Sequence, residues 1–138
     1  MVISTHVATG LPSKSTFSLL LNIGGKRAAA LVDSGSSDTF MSTQFVEQHN
    51  ISTQPAPSTK VVVARGSFLL ANATLPPTQF QVQGHSFEIT FEILPLKTFD
   101  IILGADWIYE YIPIGLDLKK RVLVVTKNGT TITLQDHT

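Results

Sequence analysis

The sequence predicts a single all-β domain with a few short helices. The strongest observation is a period of two between residues 86 and 94, where large apolar residues alternate with polar ones, as in a strand with one buried face. The second is a set of turn signals between strand-like runs, at Gly24–Gly25, Gly84–His85 and Asn128–Gly129. With 138 residues, 43% of them hydrophobic, the chain is long enough to bury one core.

The first quarter of the chain predicts a hairpin that ends at a carboxylate. Residues 1–16 are polar and are interpreted as an N-terminal arm. Strands are expected at Phe17–Ile23 and Lys26–Val32, and the second of these leads directly into Asp33. Residues 39–49 have weak helical spacing, with Thr43 as the expected N-cap.

The middle of the chain predicts a second, isolated hairpin. Residues 50–59 contain two prolines and are expected to form a loop. Strands at 60–64 and 67–73 flank a turn at Arg65–Gly66. Pro76–Pro77 is expected to end this hairpin, because proline cannot continue the ladder of a central strand.

The second half repeats the pattern of hairpin, apolar strand and helix. Strands at 80–83 and 86–94 precede an apolar strand at 99–103, which ends at Gly104. The remaining elements are a helix at 105–111, closing strands at 116–118, 122–126 and 131–134, and a tail at 135–138. The two halves resemble degenerate copies of one unit, in which Asp33 has no acidic counterpart at Leu103–Gly104. One functional carboxylate per chain is therefore predicted.

Composition excludes several classes of function. Ten basic and ten acidic residues give a formal net charge of zero, so neither nucleic acid nor an anionic membrane is an expected partner. Absence of cysteine excludes disulfides and thiolate chemistry, and the four histidines have no paired spacing for a metal. Only 14% of residues are charged, which favours self-association. Without a membrane span or a signal-peptide pattern, the expected location is the cytoplasm.

The segment from Asp33 to Asp38 is the candidate catalytic site. A carboxylate behind an apolar strand is costly to bury unless hydrogen bonds hold it, and Ser34, Gly35 and Ser36 offer hydroxyls and a backbone that can turn inward. Metal-free peptide hydrolysis needs a proton acceptor and a proton donor, and two aspartates about 3 Å apart supply both because the pair retains one proton. The economical partner for Asp33 is the Asp33 of a second chain across a two-fold axis.

Two segments carry a resemblance to a known family. Residues 31–37 (LVDSGSS), followed about seventy residues later by residues 101–107 (IILGADW), resemble the retropepsins. The sequence looks most similar to the protease domain of plant gypsy-type LTR retrotransposon polyproteins, over residues 17–134. The resemblance implies a closed β-barrel with a flap hairpin and short helices, active as a homodimer without cofactor or metal. It also implies a Gag-Pol-type polyprotein as substrate, in the cytoplasm or a virus-like particle.

The resemblance also implies roles for individual residues. Asp33 would be the catalytic aspartate, and Ser34 would brace the two chains of the dimer. Gly35 would bond the substrate backbone, and Ser36 would donate a hydrogen bond to the outer oxygen of the carboxylate. The hairpin at 60–73 would be the flap. Further substrate-binding positions would be Asp38, the flap-tip residues Val63, Ala64, Arg65 and Gly66, and the pocket residues Ile101 and Leu103.

Alternative interpretations remain open. The domain could be a catalytically silent retropepsin-like module for dimerisation or binding. It could also be a cellular retropepsin of the ubiquitin-receptor kind. Asp33 itself could be a turn or cap residue after a strand, or part of a phosphorylation-dependent degradation signal.

Overall fold

Strands dominate the computed structural model, which describes residues 16–62 and 67–137. Outside the described residues lie the predicted arm before Thr16, the predicted flap-tip residues Val63, Ala64, Arg65 and Gly66, and Thr138. The elements are β1 (Phe17–Ile23), β2 (Lys26–Val32), β3 (Phe40–Ser42), α1 (Thr43–Gln48), β4 (Gln54–Val62), β5 (Phe68–Val82), β6 (His85–Leu94), β7 (Ile101–Leu103), α2 (Ala105–Glu110), β8 (Gly115–Asp117), β9 (Val122–Lys127) and β10 (Thr130–Gln135).

Six strands close into a barrel, as expected. The main sheet has the order β1-β2-β7-β3-β6-β5-β4, and β1 also pairs with β5 through Asn22 and Gln81. This pairing joins the two ends of the six-strand series and leaves β4 at the outside, paired only with β5. A separate sheet has the order β10-β9-β8. The all-β fold class is therefore confirmed.

Three tight turns set the register of the hairpins. The residues flanking the turns pair directly, as Ile23 with Lys26 and Val82 with His85. The turn residues all have positive φ: Gly24 (57°), Gly25 (84°), Gln83 (50°), Gly84 (85°), Asn128 (51°) and Gly129 (76°). Two successive residues with positive φ are typical of two-residue hairpin loops. The turn predicted at Gly84–His85 is at Gln83–Gly84 in the structure, one residue earlier.

Prolines interrupt the strands less than predicted. β5 continues through Pro76–Pro77, where its pairing with β6 shifts register between Leu75 and Thr78. This irregularity accommodates two residues that cannot donate to the ladder. β4 begins at Gln54, inside the predicted loop, because an edge strand tolerates proline. The predicted loop at 50–59 is therefore confined to residues 50–53, and the prediction that the strand ends at the proline pair was wrong.

The first helix begins later than predicted. Residues 40–42 form β3, which pairs with both β6 and β7, so Phe40 and Met41 are fully buried. Strand pairing here overrides weak helical spacing. The N-cap is Ser42, whose hydroxyl accepts the N–H of Phe45 at 2.9 Å, rather than Thr43.

Two hydrophobic clusters fill the protein. The main core contains Trp107, which contacts the rings of Phe87 and Tyr111 at centroid distances of 5.5 and 5.4 Å. The second core is smaller and lies between the barrel and the β4–β5 hairpin. It consists of Leu31, Phe40, Val61, Ala71, Leu94, Leu96 and Ile102, with Leu69 and Phe99 packed against it.

The chain end is tied to the first strand. Asp136, whose side chain is 3% exposed, accepts the N–H of Ser18 at 2.9 Å and the Nε–H of Arg121 at 2.8 Å. The N–H of His137 donates to the Ser18 carbonyl at 2.9 Å. The folded unit therefore continues to His137, past the tail boundary predicted at residue 135. Among the described residues no helix has the length and apolar character needed to span a membrane.

Candidate active site

The predicted internal copies lie side by side. β2 and β7 are parallel, with Leu31 opposite Ile102 and Val32 opposite Leu103. Beyond their paired ends, the N–H of Asp33 donates to the Leu103 carbonyl at 2.9 Å. The carboxylate thus emerges where two apolar strands end together, so the barrel fixes its position.

The two oxygens of the Asp33 carboxylate have different surroundings. Oδ1 accepts the N–H of Gly35 at 2.9 Å. Oδ2 is buried and has no hydrogen-bond partner among the described residues. A buried acceptor without a donor costs about 1–3 kcal/mol, so Oδ2 would gain from a donor that a second molecule supplies. This asymmetry suits a carboxylate that shares a proton or a water with a second group.

The loop that follows is held by its own backbone. The N–H of Ser36 donates to the Asp33 carbonyl at 3.1 Å, and the Ser36 carbonyl accepts the N–H of Ala105 at 2.7 Å. The Ser36 hydroxyl is buried and donates its proton to the Asp38 carbonyl at 2.8 Å. This corrects the expected bond from Ser36 to the carboxylate: the hydroxyl shapes the loop instead. Ser34 and Gly35 are exposed.

A second anchor, missed by the sequence reasoning, closes the far end of this loop. The carboxylate of Asp106 accepts the hydroxyl of Thr39 at 2.6 Å and its N–H at 3.2 Å. The Thr39 oxygen in turn accepts the N–H of Gly104 at 3.1 Å. Thr39 and Asp106 lie 67 positions apart, and no local pattern links them.

Gly104 is required by close backbone contact. A Cβ added there would lie 2.1 Å from the carbonyl oxygen of Asp38 and 2.8 Å from that of Ser36. Both distances are shorter than any van der Waals contact, and both neighbours are backbone atoms. Absence of a side chain at Gly104 is therefore what allows the chain after β7 to lie directly against the carbonyls of Ser36 and Asp38.

The apolar residues before Asp33 and along β7 divide between the two cores. Leu31 packs in the second core with Ile102, whereas Val32 packs against the main core. Ile101 and Leu103 also lie in the main core. This placement argues against the predicted pocket role of Ile101 and Leu103 and favours Ile102. The register of β7 decides which face each residue occupies, and the sequence did not reveal it.

The β4–β5 hairpin has one packed face and one exposed face. Val61 and Ala71 pack in the second core, whereas Val62, Phe68 and Leu70 are 45%, 49% and 51% exposed. Val62 pairs with Phe68, which confirms the predicted hairpin up to that pair. The predicted tip, residues 63–66, lies outside the described residues.

Two acidic residues, Asp38 and Glu92, lie near the end of the loop that follows Asp33. Asp38 is half-buried and accepts the Ser37 hydroxyl at 3.0 Å. The N–H of Glu92, on β6, donates to the Thr39 carbonyl at 3.0 Å. Burial raises the pKa of Glu92 above its ordinary 4.5, and the nearby charges of Asp38 and Asp106 raise it further. In the described ranges no three histidine, aspartate or glutamate side chains are placed to hold a metal ion.

Replacing Glu92 with glutamine is expected to stabilise the fold at neutral pH. Because the pKa of Glu92 is raised in the folded state, folding favours the protonated acid. The stability that protonated Glu92 contributes is fully present below its pKa in the unfolded chain. That stability is lost as the pH rises through its pKa in the folded protein. Glutamine stays neutral and escapes this loss. Urea unfolding should therefore give a higher midpoint for the variant at pH 7 and nearly equal midpoints near about pH 4.

Glu88 provides the matched control for that measurement. It lies on the same strand and is exposed. Glu88→Gln should shift the midpoint little at either pH, since exposed charges contribute little. An equal change for Glu92→Gln at both pH values would contradict the assignment of the effect to ionisation.

Comparison with known proteins relates most of the barrel to protease domains. The family model of the PEG10/RTL1 protease domain matches residues 29–129. Human protein DDI1 homolog 1 is 32% identical over 111 residues, covering 78% of this chain and 27% of that protein. Mouse protein DDI1 homolog 2 is 30% identical over 114 residues, covering 80% and 28%. The chain thus spans little more than a quarter of the length of these relatives.

Solved structures share the fold at low sequence identity. The retroviral protease-like domain of Ddi1 from Leishmania major has a TM-score of 0.59 at 19% identity, covering 87% of this chain and 94% of that one. A retropepsin-like aspartic protease from Rickettsia conorii has a TM-score of 0.59 at 13% identity, covering 89% and 87%. EIAV protease in complex with the inhibitor HBY-793 has a TM-score of 0.54 at 12% identity, covering 69% and 86%. With the family model spanning most of the barrel and these structures sharing its topology, the chain belongs to the PEG10/RTL1 protease domain family and has the retropepsin-like aspartic protease fold.

Proposed function

We propose that the chain is an aspartic endopeptidase that works as a homodimer, with Asp33 of each chain activating one water. The observation that carries the proposal is the buried Oδ2 of Asp33, which has no partner among the described residues. A second copy across a two-fold axis would bring an identical carboxylate to this atom. Neither a cofactor nor a metal is needed for this chemistry.

The two carboxylates divide the work of acid and base. Like charges about 3 Å apart cannot both ionise, so the pair keeps one proton. The ionised aspartate takes a proton from the water as its oxygen attacks the scissile carbonyl carbon. The protonated aspartate gives its proton to the carbonyl oxygen, which yields a tetrahedral diol and leaves the other aspartate carrying the proton from the water. That aspartate then protonates the amide nitrogen as the C–N bond breaks, and a diol hydroxyl returns its proton to the ionised aspartate, releasing a carboxylic acid and a neutral amine. Atoms and charge balance, and the pair returns to one proton.

Neighbouring groups would align the peptide. Exposed Ser34 would hydrogen-bond to the partner loop, and the backbone of Gly35 would bond the substrate. Asp38, at the edge of the loop, would contact the substrate beyond the scissile bond. The β4–β5 hairpin would act as a flap, with residues 63–66 at its tip excluding water during the reaction. Ile102 is proposed in place of Ile101 and Leu103 as the apolar contact beside Asp33.

Specific activity is expected to rise with chain concentration and to reach a plateau as dimers form. The reason is that a monomer contains one copy of the proposed catalytic carboxylate, Asp33, whereas the reaction needs two. Sedimentation velocity and cleavage of a fluorogenic peptide, measured over the same concentration series, test this directly. A transition-state mimic of the statine type should inhibit and should shift the protein to the dimer mass. Constant specific activity at concentrations where only monomer sediments would exclude a shared site.

The substrate is proposed to be a Gag-Pol-type polyprotein of a plant gypsy-type retrotransposon, processed in the cytoplasm or in a virus-like particle. Its support is the resemblance of residues 31–37 and 101–107 to that group. A cellular retropepsin of the ubiquitin-receptor kind is the alternative, and the 32% identity with human DDI1 homolog 1 favours it.

A pairwise assay distinguishes the two substrate classes. The protein is incubated with an unfolded polypeptide that contains several peptide bonds between apolar residues. This polypeptide is either free or conjugated to a ubiquitin chain. Equal cleavage of both forms supports polyprotein processing. Cleavage of the conjugate alone supports the cellular alternative. Cleavage of neither, with dimers present, supports a silent dimerisation module.

A further inference from the structure

We infer that Asp106 is a positioning residue for the catalytic loop and that it acts through Thr39. The inference rests on the proposed function, because it assigns how the loop that carries Asp33 is held for catalysis. Asp106 lies in the first turn of α2, outside the loop itself. It is set apart from the other aspartates outside the loop by its contacts with a residue of that loop.

The hydrogen bonds of this pair leave little freedom. The Asp106 carboxylate accepts the Thr39 hydroxyl at 2.6 Å, the Thr39 N–H at 3.2 Å and the N–H of Trp107 at 2.7 Å. A carboxylate can only accept, so the single hydroxyl proton of Thr39 must point to Asp106. The same hydroxyl oxygen is then free to accept the N–H of Gly104 at 3.1 Å. Thr39 is fully buried, so water does not compete for these bonds.

The loop is consequently clamped at both ends by one short stretch of chain. At its start, the N–H of Asp33 donates to the Leu103 carbonyl at 2.9 Å. At its end, Thr39 is held by Asp106 and Gly104. Both anchors belong to the turn from β7 into α2, so the carboxylate is positioned relative to that turn. Loss of the second anchor would let the loop shift, and a shift of about 1 Å in a catalytic group can cost about a hundredfold in rate.

Thr39→Val and Thr39→Ser test the clamp as a matched pair. Valine keeps the branched shape and removes the hydroxyl, whereas serine keeps the hydroxyl. Both are assayed as the full chain at dimer-forming concentration, with active sites counted by titration with a statine-type inhibitor. Thr39→Val is expected to lower kcat per titrated site about 10- to 100-fold with KM nearly unchanged, and Thr39→Ser to stay within about threefold. Asp106→Asn, which puts an amide where two acceptors are needed, should lower kcat in the same direction.

A role confined to folding would give a different result. In that case Thr39→Val would reduce the number of titrated sites but leave kcat per site at the wild-type value, and the inference would be overturned. Amide hydrogen exchange at Thr39 and Gly104 reads the clamp without turnover. Exchange should be faster in Thr39→Val than in Thr39→Ser. Equal exchange rates in the two variants would overturn the inference. If exchange is faster in Thr39→Val but the wild type cleaves no peptide, only the proposed function is overturned.

Discussion

Replacing Asp33 with asparagine is expected to lower kcat for peptide hydrolysis about a thousandfold or more, because general acid–base groups contribute factors of this size. Asparagine has the same shape, and its Oδ1 still accepts the N–H of Gly35, so the loop should keep its conformation. What it cannot do is exchange a proton with the partner carboxylate. Steady-state cleavage of a polypeptide by the dimeric variant, with its mass and thermal midpoint measured alongside, is the test.

Asp117→Asn is the control for that substitution. Asp117 caps a surface turn by accepting the N–H of Lys120 at 2.9 Å, far in sequence from the candidate loop. Its replacement should leave kcat within experimental error. Equal cleavage by wild type and Asp33→Asn would refute catalysis by this carboxylate. If neither cleaved while both formed dimers, the silent binding module would be the better description.

Replacing Gly104 with alanine is expected to be the most disruptive single-methyl change outside the loop. The new Cβ would lie 2.1 Å from the Asp38 carbonyl oxygen and 2.6 Å from its carbon, so either the loop that contains Asp38 or the chain at Gly104 must move. Overpacking of this kind costs about 3 kcal/mol when backbone rather than a flexible side chain must give way. Chemical unfolding should show a loss of that order. Activity should fall with it, since the displaced segment carries Asp33.

Gly115→Ala is the matched control, because a Cβ there meets no other atom within 4 Å. Neither glycine has a positive φ, so backbone strain does not distinguish them. The difference between the variants therefore isolates the steric contact at Gly104. Comparable stability of the two variants would show that the loop tolerates displacement, and the close packing described here would then have no role in holding Asp33.

Local patterns were sufficient for the parts of the protein that depend on neighbours in the chain. The strand from 17 to 23 and its return from 26 to 32 have the predicted bounds, because two glycines with positive φ impose a two-residue turn. The alternation from 86 to 94 likewise reports one buried face. Asp33 was also identified from local sequence, since a carboxylate directly after an apolar strand is costly to bury unless hydrogen bonds hold it.

Sequence patterns did not predict the structure where pairing with a strand far away in sequence determines it. Pro76–Pro77 stayed inside β5 because β6 accommodates a shift in register there. Phe40 became part of a strand because β6 and β7 lie on either side of it. Ile102 packs with Leu31 in the second core, whereas Ile101 and Leu103 lie in the main core, because register with β2 sets the faces of β7.

By itself the sequence determined the all-β class, the hairpins and the one exceptional carboxylate, since each follows from residues adjacent in the chain. Closure of the barrel was implied only by the family resemblance, and it depends on the pairing of β1 with β5. Only the tertiary structure decided how that carboxylate is held. The bond from Thr39 to Asp106 spans 67 positions, and the contact of Gly104 with Asp38 spans a similar distance. Contacts at such separation leave no periodic trace in one sequence, because they depend on the parallel pairing that brings β2 and β7 together.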